Sequence, residues 1–60
     1  MTLEELKGKR QKAGISQKTL AEEIGINRST LSLIERGIRK PSYEVMTRIS
    51  KAFNEPVEIK

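Results

Sequence analysis

Sixty residues without cysteine, histidine or aspartate, carrying twelve Lys and Arg against eight Glu for a net charge of +4, set narrow bounds on this chain. A chain of this size buries only about 60% of the surface it exposes when unfolded, so one small domain with a sparing core is expected over residues 1–60. The composition leaves no disulfide, thiol nucleophile, ordinary catalytic triad or common metal cluster, and no apolar run is long enough to span a membrane.

The charge is unevenly placed. Residues 1–40 carry nine basic and five acidic side chains, net +4, whereas residues 41–60 carry three of each. With a pI near 9.8, the first two thirds of the chain are the part expected to meet a polyanion. The N-terminus alternates in charge where a secretory leader has an apolar stretch, and a cytoplasmic protein is expected.

Thr2 followed by Glu5 has the spacing of a capping box and marks the start of a first helix. Leu3, Leu6 and Ala13 recur at roughly helical spacing until Gly14 supplies a left-handed stop, with Arg10 on the same side as Leu6 and Ala13. Ser16 is a good N-cap for a second helix, whose stripe is Leu20, Ala21 and Ile24 and whose end is Gly25. Ile26 reads as a buried linker residue and Asn27 as another N-cap. A third helix then carries Leu31 and Ile34 before Gly37 closes it. Two short helices meeting across a tight turn, with glycine near its start, form the helix-turn-helix pattern.

Pro41 forbids helix behind it, and Ser42 caps a fourth helix to about Phe53, with Tyr43, Met46, Ile49 and Phe53 facing inward. Asn54 ends it. Pro56 suits the first turn of another helix with only four residues left, so a frayed tail or single turn is expected. The fold class is therefore all-α, a compact bundle of four short helices with at most a partial fifth.

Catalysis has little to work with. Glu22 and Glu23 are adjacent and point to different sides of a helix, so they cannot flank one scissile bond. Glycines 8, 14, 25 and 37 are dispersed, unlike a phosphate-binding loop. No enzyme activity, cofactor, metal or small-molecule ligand is indicated.

With Leu31 and Ile34 turned inward at 100° per residue, the third helix presents Ser29, Ser32 and Leu33 outward, with Arg28 at its N-terminal edge. A helix so lightly decorated fits the major groove. Arg28 can donate twice to guanine, Ser29 and Ser32 can meet a base edge or a phosphate, and Leu33 suits a thymine methyl as well as plain solvent. Helix N-termini attract phosphates, which draws in Gln17 and Asn27; Gln17 can equally brace Arg28. Arg39 and Lys40 are placed to grip the backbone beyond the third helix; Arg10 is available to extend the basic surface, and so are Lys7 and Lys9, for which an ordinary solvated face is the favoured reading. Arg10 and Glu35 both lie near apolar helix sides, where a partly buried ion pair between the first and third helices satisfies both.

The stretch ISQKTLAEEIGINRSTLSLIERGIRKPS resembles the signature of the XRE-type, lambda-repressor-like helix-turn-helix family, which includes the Cro and repressor proteins of phages. The similarity runs from about Leu6 to Phe53 and rests on Ser16-Gln17, Leu20-Ala21, Gly25, the Ser-Thr-Leu-Ser of the third helix, Glu35-Arg36-Gly37 and Pro41-Ser42. It implies a transcriptional regulator, a repressor above all, encoded by a bacterium or mobile element. Such a protein binds double-stranded DNA as a homodimer on a near-palindromic operator, with half-sites about one helical turn apart. By the same resemblance Gln17, Asn27 to Ser29, Ser32 and Leu33 fall on contacting positions, and the pair of Arg10 with Glu35 is a family feature. Leu33 stands where a polar side chain is common, and the chain ends at Lys60, before the family's usual fifth helix is complete. The competing reading is an antitoxin-like module that binds a partner protein and autoregulates; a toxin coding region beside the gene would favour it.

Overall fold

The computed structural model describes residues 1–58, folded as four α-helices. A 3₁₀ turn, Leu3–Glu5, leads into α1 (Leu6–Lys12), followed by α2 (Gln17–Ile24), α3 (Arg28–Glu35) and α4 (Tyr43–Phe53). None of them is long and apolar enough to cross a membrane.

Each helix begins and ends for a local chemical reason. The Glu5 carboxylate reaches back to accept from the Thr2 backbone N–H at 2.8 Å, which fastens the first turn. Ser16 and Ser42 cap α2 and α4 by accepting from Thr19 N–H at 3.1 Å and Val45 N–H at 3.2 Å. At the end of α2, Gly25 turns left-handed with φ 75, so that Gly25 N–H reaches the Glu22 carbonyl and Ile26 N–H the Ala21 carbonyl. A β-carbon at Gly25 would stand 2.5 Å from Arg48 Nη1, which donates to the Ile24 carbonyl oxygen at 3.2 Å. The same pair of bonds closes α1, α3 and α4, the last through Asn54 at φ 51.

Leu6, Leu20, Ile24, Leu31 and Ile49 are fully buried, so every helix sends at least one side chain to a common centre. Met1, Ala21 and Ile34 complete that core, and Leu3, Ile15, Ile26, Val45, Ala52, Phe53 and Val57 pack around it. Each such Leu or Ile contributes about 1.5–3 kcal/mol by leaving water. Three expected core positions lie outside it, among them half-buried Met46, which lines a surface groove instead. Ala13 is exposed because it is the first residue past α1, where the chain already turns away. Tyr43 is 83% exposed. Ile49 is the centre of the inward face of α4, and Tyr43 falls about 120° round the helix from it, while Val45 and Ala52 lie within about 60°.

The tail also differs from a frayed or helical end. After Asn54 the chain runs back along the N-terminus: Glu58 N–H donates to the Met1 carbonyl at 2.7 Å, and Thr2 and Glu58 form an isolated parallel bridge. Val57 N–H donates to Ser50 Oγ at 3.1 Å, and Lys9 Nζ donates to Glu55 at 2.8 Å. The left-handed turn at Asn54 and the fixed φ of Pro56 steer the backbone off the helical path, and half-buried Val57 then holds it against the core. The last two residues, Ile59 and Lys60, lie outside the described part, and with them the end of the expected fifth turn.

Arg10 and Glu35 meet in the interior. Arg10 Nε donates to Glu35 Oε2 at 2.7 Å and Nη2 to Oε1 at 3.3 Å, with the two side chains 9% and 1% exposed. Removing one partner of such a pair strands a buried charge. Arg10→Met is expected to lower unfolding free energy by about 3–5 kcal/mol in urea titration, and the joint replacement Arg10→Met with Glu35→Leu to recover most of it.

The surface carboxylates set the pH response. Hydrogen bonding from Thr2 holds Glu5 below the ordinary value of 4.5, and the Lys9 ammonium does the same for Glu55. A depressed folded pKa stabilises the fold above the unfolded carboxylate pKa and ceases to do so as pH falls through the folded value. Lys9, raised above 10.5 by Glu55, contributes until pH rises through its own folded value. The urea midpoint should therefore hold steady near neutrality and fall on acidification below the ordinary carboxylate value, and Glu55→Gln should flatten part of that acid limb.

Candidate nucleic-acid interface

The turn between α2 and α3 is three residues, Gly25 to Asn27, with half-buried Ile26 packed beneath it. Asn27 is extended, with φ −73 and ψ 148, and its carbonyl accepts from Leu31 N–H at 3.0 Å to open α3. Its side chain makes no cap bond, unlike that of Ser16. The expected Asn27 cap is thus positional only, and the exposed amide remains available to an outside partner.

Leu31 and Ile34 anchor α3 on one side. On the other, Arg28 and Ser29 are exposed and Ser32 and Leu33 are half-buried, so the N-terminal half of the helix stands clearest of the body. Arg36 continues the Ser29–Ser32 row one turn further and is exposed, a candidate that helical spacing alone would have supplied. Neither α2 nor α3 has an acidic residue in its first turn, whereas the opening 3₁₀ turn has Glu4 and Glu5 and α4 has Glu44. The positive ends of the two motif helices are left uncompensated. Exposed Lys18, in the first turn of α2, is a further cation there that sequence reasoning passed over.

Arg39 and Lys40 lie in the loop behind α3, both exposed. Leu33 O accepts the backbone N–H groups of Ile38 at 2.9 Å and Arg39 at 3.3 Å, which ties the start of this loop to the helix. Among the described residues, Lys18, Arg28, Arg36, Arg39 and Lys40 form no ion pair. Lys9 and Arg10 behave differently. Both are engaged inside the molecule, by Glu55 and Glu35, and are withdrawn from the free basic surface. Gln17, at the first position of α2, is half-buried, and its amide nitrogen donates to Glu35 Oε1 at 2.9 Å rather than lying beside Arg28.

Among the described residues, Ile38, 67% exposed, and Tyr43 are the large apolar side chains most open to solvent, and both flank buried Pro41. A groove of about 400 Å³ adjoins this edge, lined by Leu3, Ile34, Pro41 and Met46 and by charges of both signs, Glu4 and Lys40 among them.

A family model described as helix-turn-helix matches residues 6–59. A helix-turn-helix-type transcriptional regulator of Mycobacterium tuberculosis is 39% identical over 54 residues, which is 90% of this chain and 39% of that protein. The regulator ImmR of Bacillus subtilis is 41% identical over 49 residues, 82% of this chain and 39% of that protein. A regulator of the same type from Archaeoglobus fulgidus is 35% identical over 49 residues and is itself covered over 70% of its length. This chain thus spans about two fifths of the mycobacterial and Bacillus proteins. The motif geometry and a match that takes in nearly the whole sequence agree: the chain belongs to the XRE-type helix-turn-helix family, whose members are DNA-binding transcription regulators and not enzymes.

Proposed function

We propose that this chain is one subunit of a homodimeric repressor, which reads a half-site of a near-palindromic operator by laying α3 in the major groove. The observation that carries this reading is the exposed N-terminal half of α3, which combines Arg28, Ser29 and a free Asn27 amide with a first turn devoid of acid. Short polar side chains let the helix approach base edges closely, and the uncompensated helix ends suit phosphates on either side.

The roles then divide by position. Arg28 donates to guanine O6 and N7, a contact worth about 1–3 kcal/mol of discrimination. Ser29 and Ser32 hydrogen-bond to base edges, and half-buried Leu33 offers its methyl groups to a thymine. Asn27 binds a phosphate at the start of α3, and Arg39 and Lys40 bind phosphates beyond its end. The exposed edge at Ile38 and Tyr43 supports self-association: a second copy related by a two-fold axis would cover both side chains.

Selection of bound duplexes from a random pool at moderate salt, followed by affinities for the winner and a scrambled duplex, tests this reading. A two-fold symmetric winner with a large affinity ratio is expected; an unenriched pool would remove operator reading. On the winning duplex, Arg28→Ala should relax preference at a single base pair. Arg39→Ala should weaken binding to every duplex alike and reduce the slope of log affinity against log salt by about 1. Equal loss on all duplexes for both variants would overturn the division of roles.

A further inference from the structure

Three N–H groups converge on the Glu35 carboxylate. Arg10 supplies two, at 2.7 Å to Oε2 and 3.3 Å to Oε1, and Gln17 Nε2 supplies the third, at 2.9 Å to Oε1. Arg10 Nη1 is held in turn by the Ile15 carbonyl at 2.9 Å. The Glu35 side chain is 1% exposed, and no buried side-chain nitrogen or oxygen among the described residues lacks a partner. The orientation of the Gln17 amide is dictated by chemistry, because an ionised carboxylate accepts and never donates.

The position of this bond in the motif matters more than its length. Gln17 is the first residue of α2 and Glu35 the last of α3, while Gly25 to Asn27 join the other ends of the two helices. The α2–turn–α3 unit is a V whose apex is the turn, and the Gln17–Glu35 bond closes its open end. Each arm has eight residues, about 12 Å, so a small displacement at the clasp becomes a rotation of the whole of α3. Buried apolar contacts between the arms are non-directional and leave that rotation soft, whereas a hydrogen bond to a buried charge is directional and strong.

We propose that Gln17 is a positioning residue: its amide clasps α2 to α3 through Glu35 and sets the angle at which α3 meets DNA, rather than serving as a phosphate donor. The inference rests on the reading that α3 enters the major groove, and its test separates the two. Gln17→Met keeps the chain length and leaves Arg10 and Glu35 paired, so the fold is retained.

Affinities of this variant for the selected and scrambled duplexes should show a loss of about tenfold on the selected duplex alone, with the salt slope unchanged. A phosphate contact instead predicts equal loss on both duplexes, and that result, or no loss on either, would overturn the clasp. The free protein supplies an arm that needs no DNA. Residual dipolar couplings should show the angle between the axes of α2 and α3 shifting on the order of 10°, the scale at which a recognition geometry is lost. An unchanged angle overturns the proposal. If the natural chain itself prefers no duplex, the operator reading fails, and the helix angle alone then decides the clasp.

Discussion

Glu35 carries a charge into a core that is otherwise apolar, and the arrangement of α1, α2 and α3 follows from how that charge is satisfied. An unpaired carboxylate there would be prohibitively unfavourable, so the fold must deliver Arg10 from α1 and the Gln17 amide from α2 to one point. The net stability gained from such a cluster is small, because desolvation offsets most of the attraction. Its distinctive effect is geometric. Five fully buried apolar side chains would hold the helices together at several angles, and the directional bonds to Glu35 select among them.

The same economy shapes the surface. The cations nearest the body are consumed internally: Lys9 by Glu55 in the tail, Arg10 by Glu35, Arg48 by Glu44 and the Ile24 carbonyl. The cations along the motif are not, and Lys18, Arg28, Arg36, Arg39 and Lys40 face solvent. Net charge alone would not distinguish these two sets. Among the described residues Lys7, Lys12 and Lys51, outside the motif, are exposed and unpaired as well, so what sets the motif apart is that its free cations stand with acid-free first turns on α2 and α3.

Much of this was legible in the sequence because its punctuation is local. Gly14, Gly25, Gly37 and Asn54 are residues that tolerate left-handed backbone, and each ends a helix where it was expected. Ser16 and Ser42 cap by bonds that span only three residues. The features that escaped are those that local chemistry leaves degenerate. Gln17 can donate to a phosphate, to Arg28's surroundings or to Glu35, and a partner eighteen positions away carries no spacing signal. Asn27 occupies a cap position with its side chain turned elsewhere. Tyr43 lay on an apparent three-residue repeat with Met46, but the face centred on Ile49 runs through Val45 and Ala52 instead. The tail pairs with Met1 and Thr2 from the opposite end of the chain, a contact that no window along the sequence contains.

The central claim is that DNA meets the N-terminal half of α3, and amide chemical-shift mapping during titration with a duplex tests it most directly. The account predicts that the largest shifts fall on Asn27 to Leu33 and on Arg39 and Lys40, while Thr47 and Lys51 on the exposed side of α4 stay in place. Shifts concentrated on α4, or on Ile38 and Tyr43 with α3 silent, would contradict it and assign the interface to another face of the molecule.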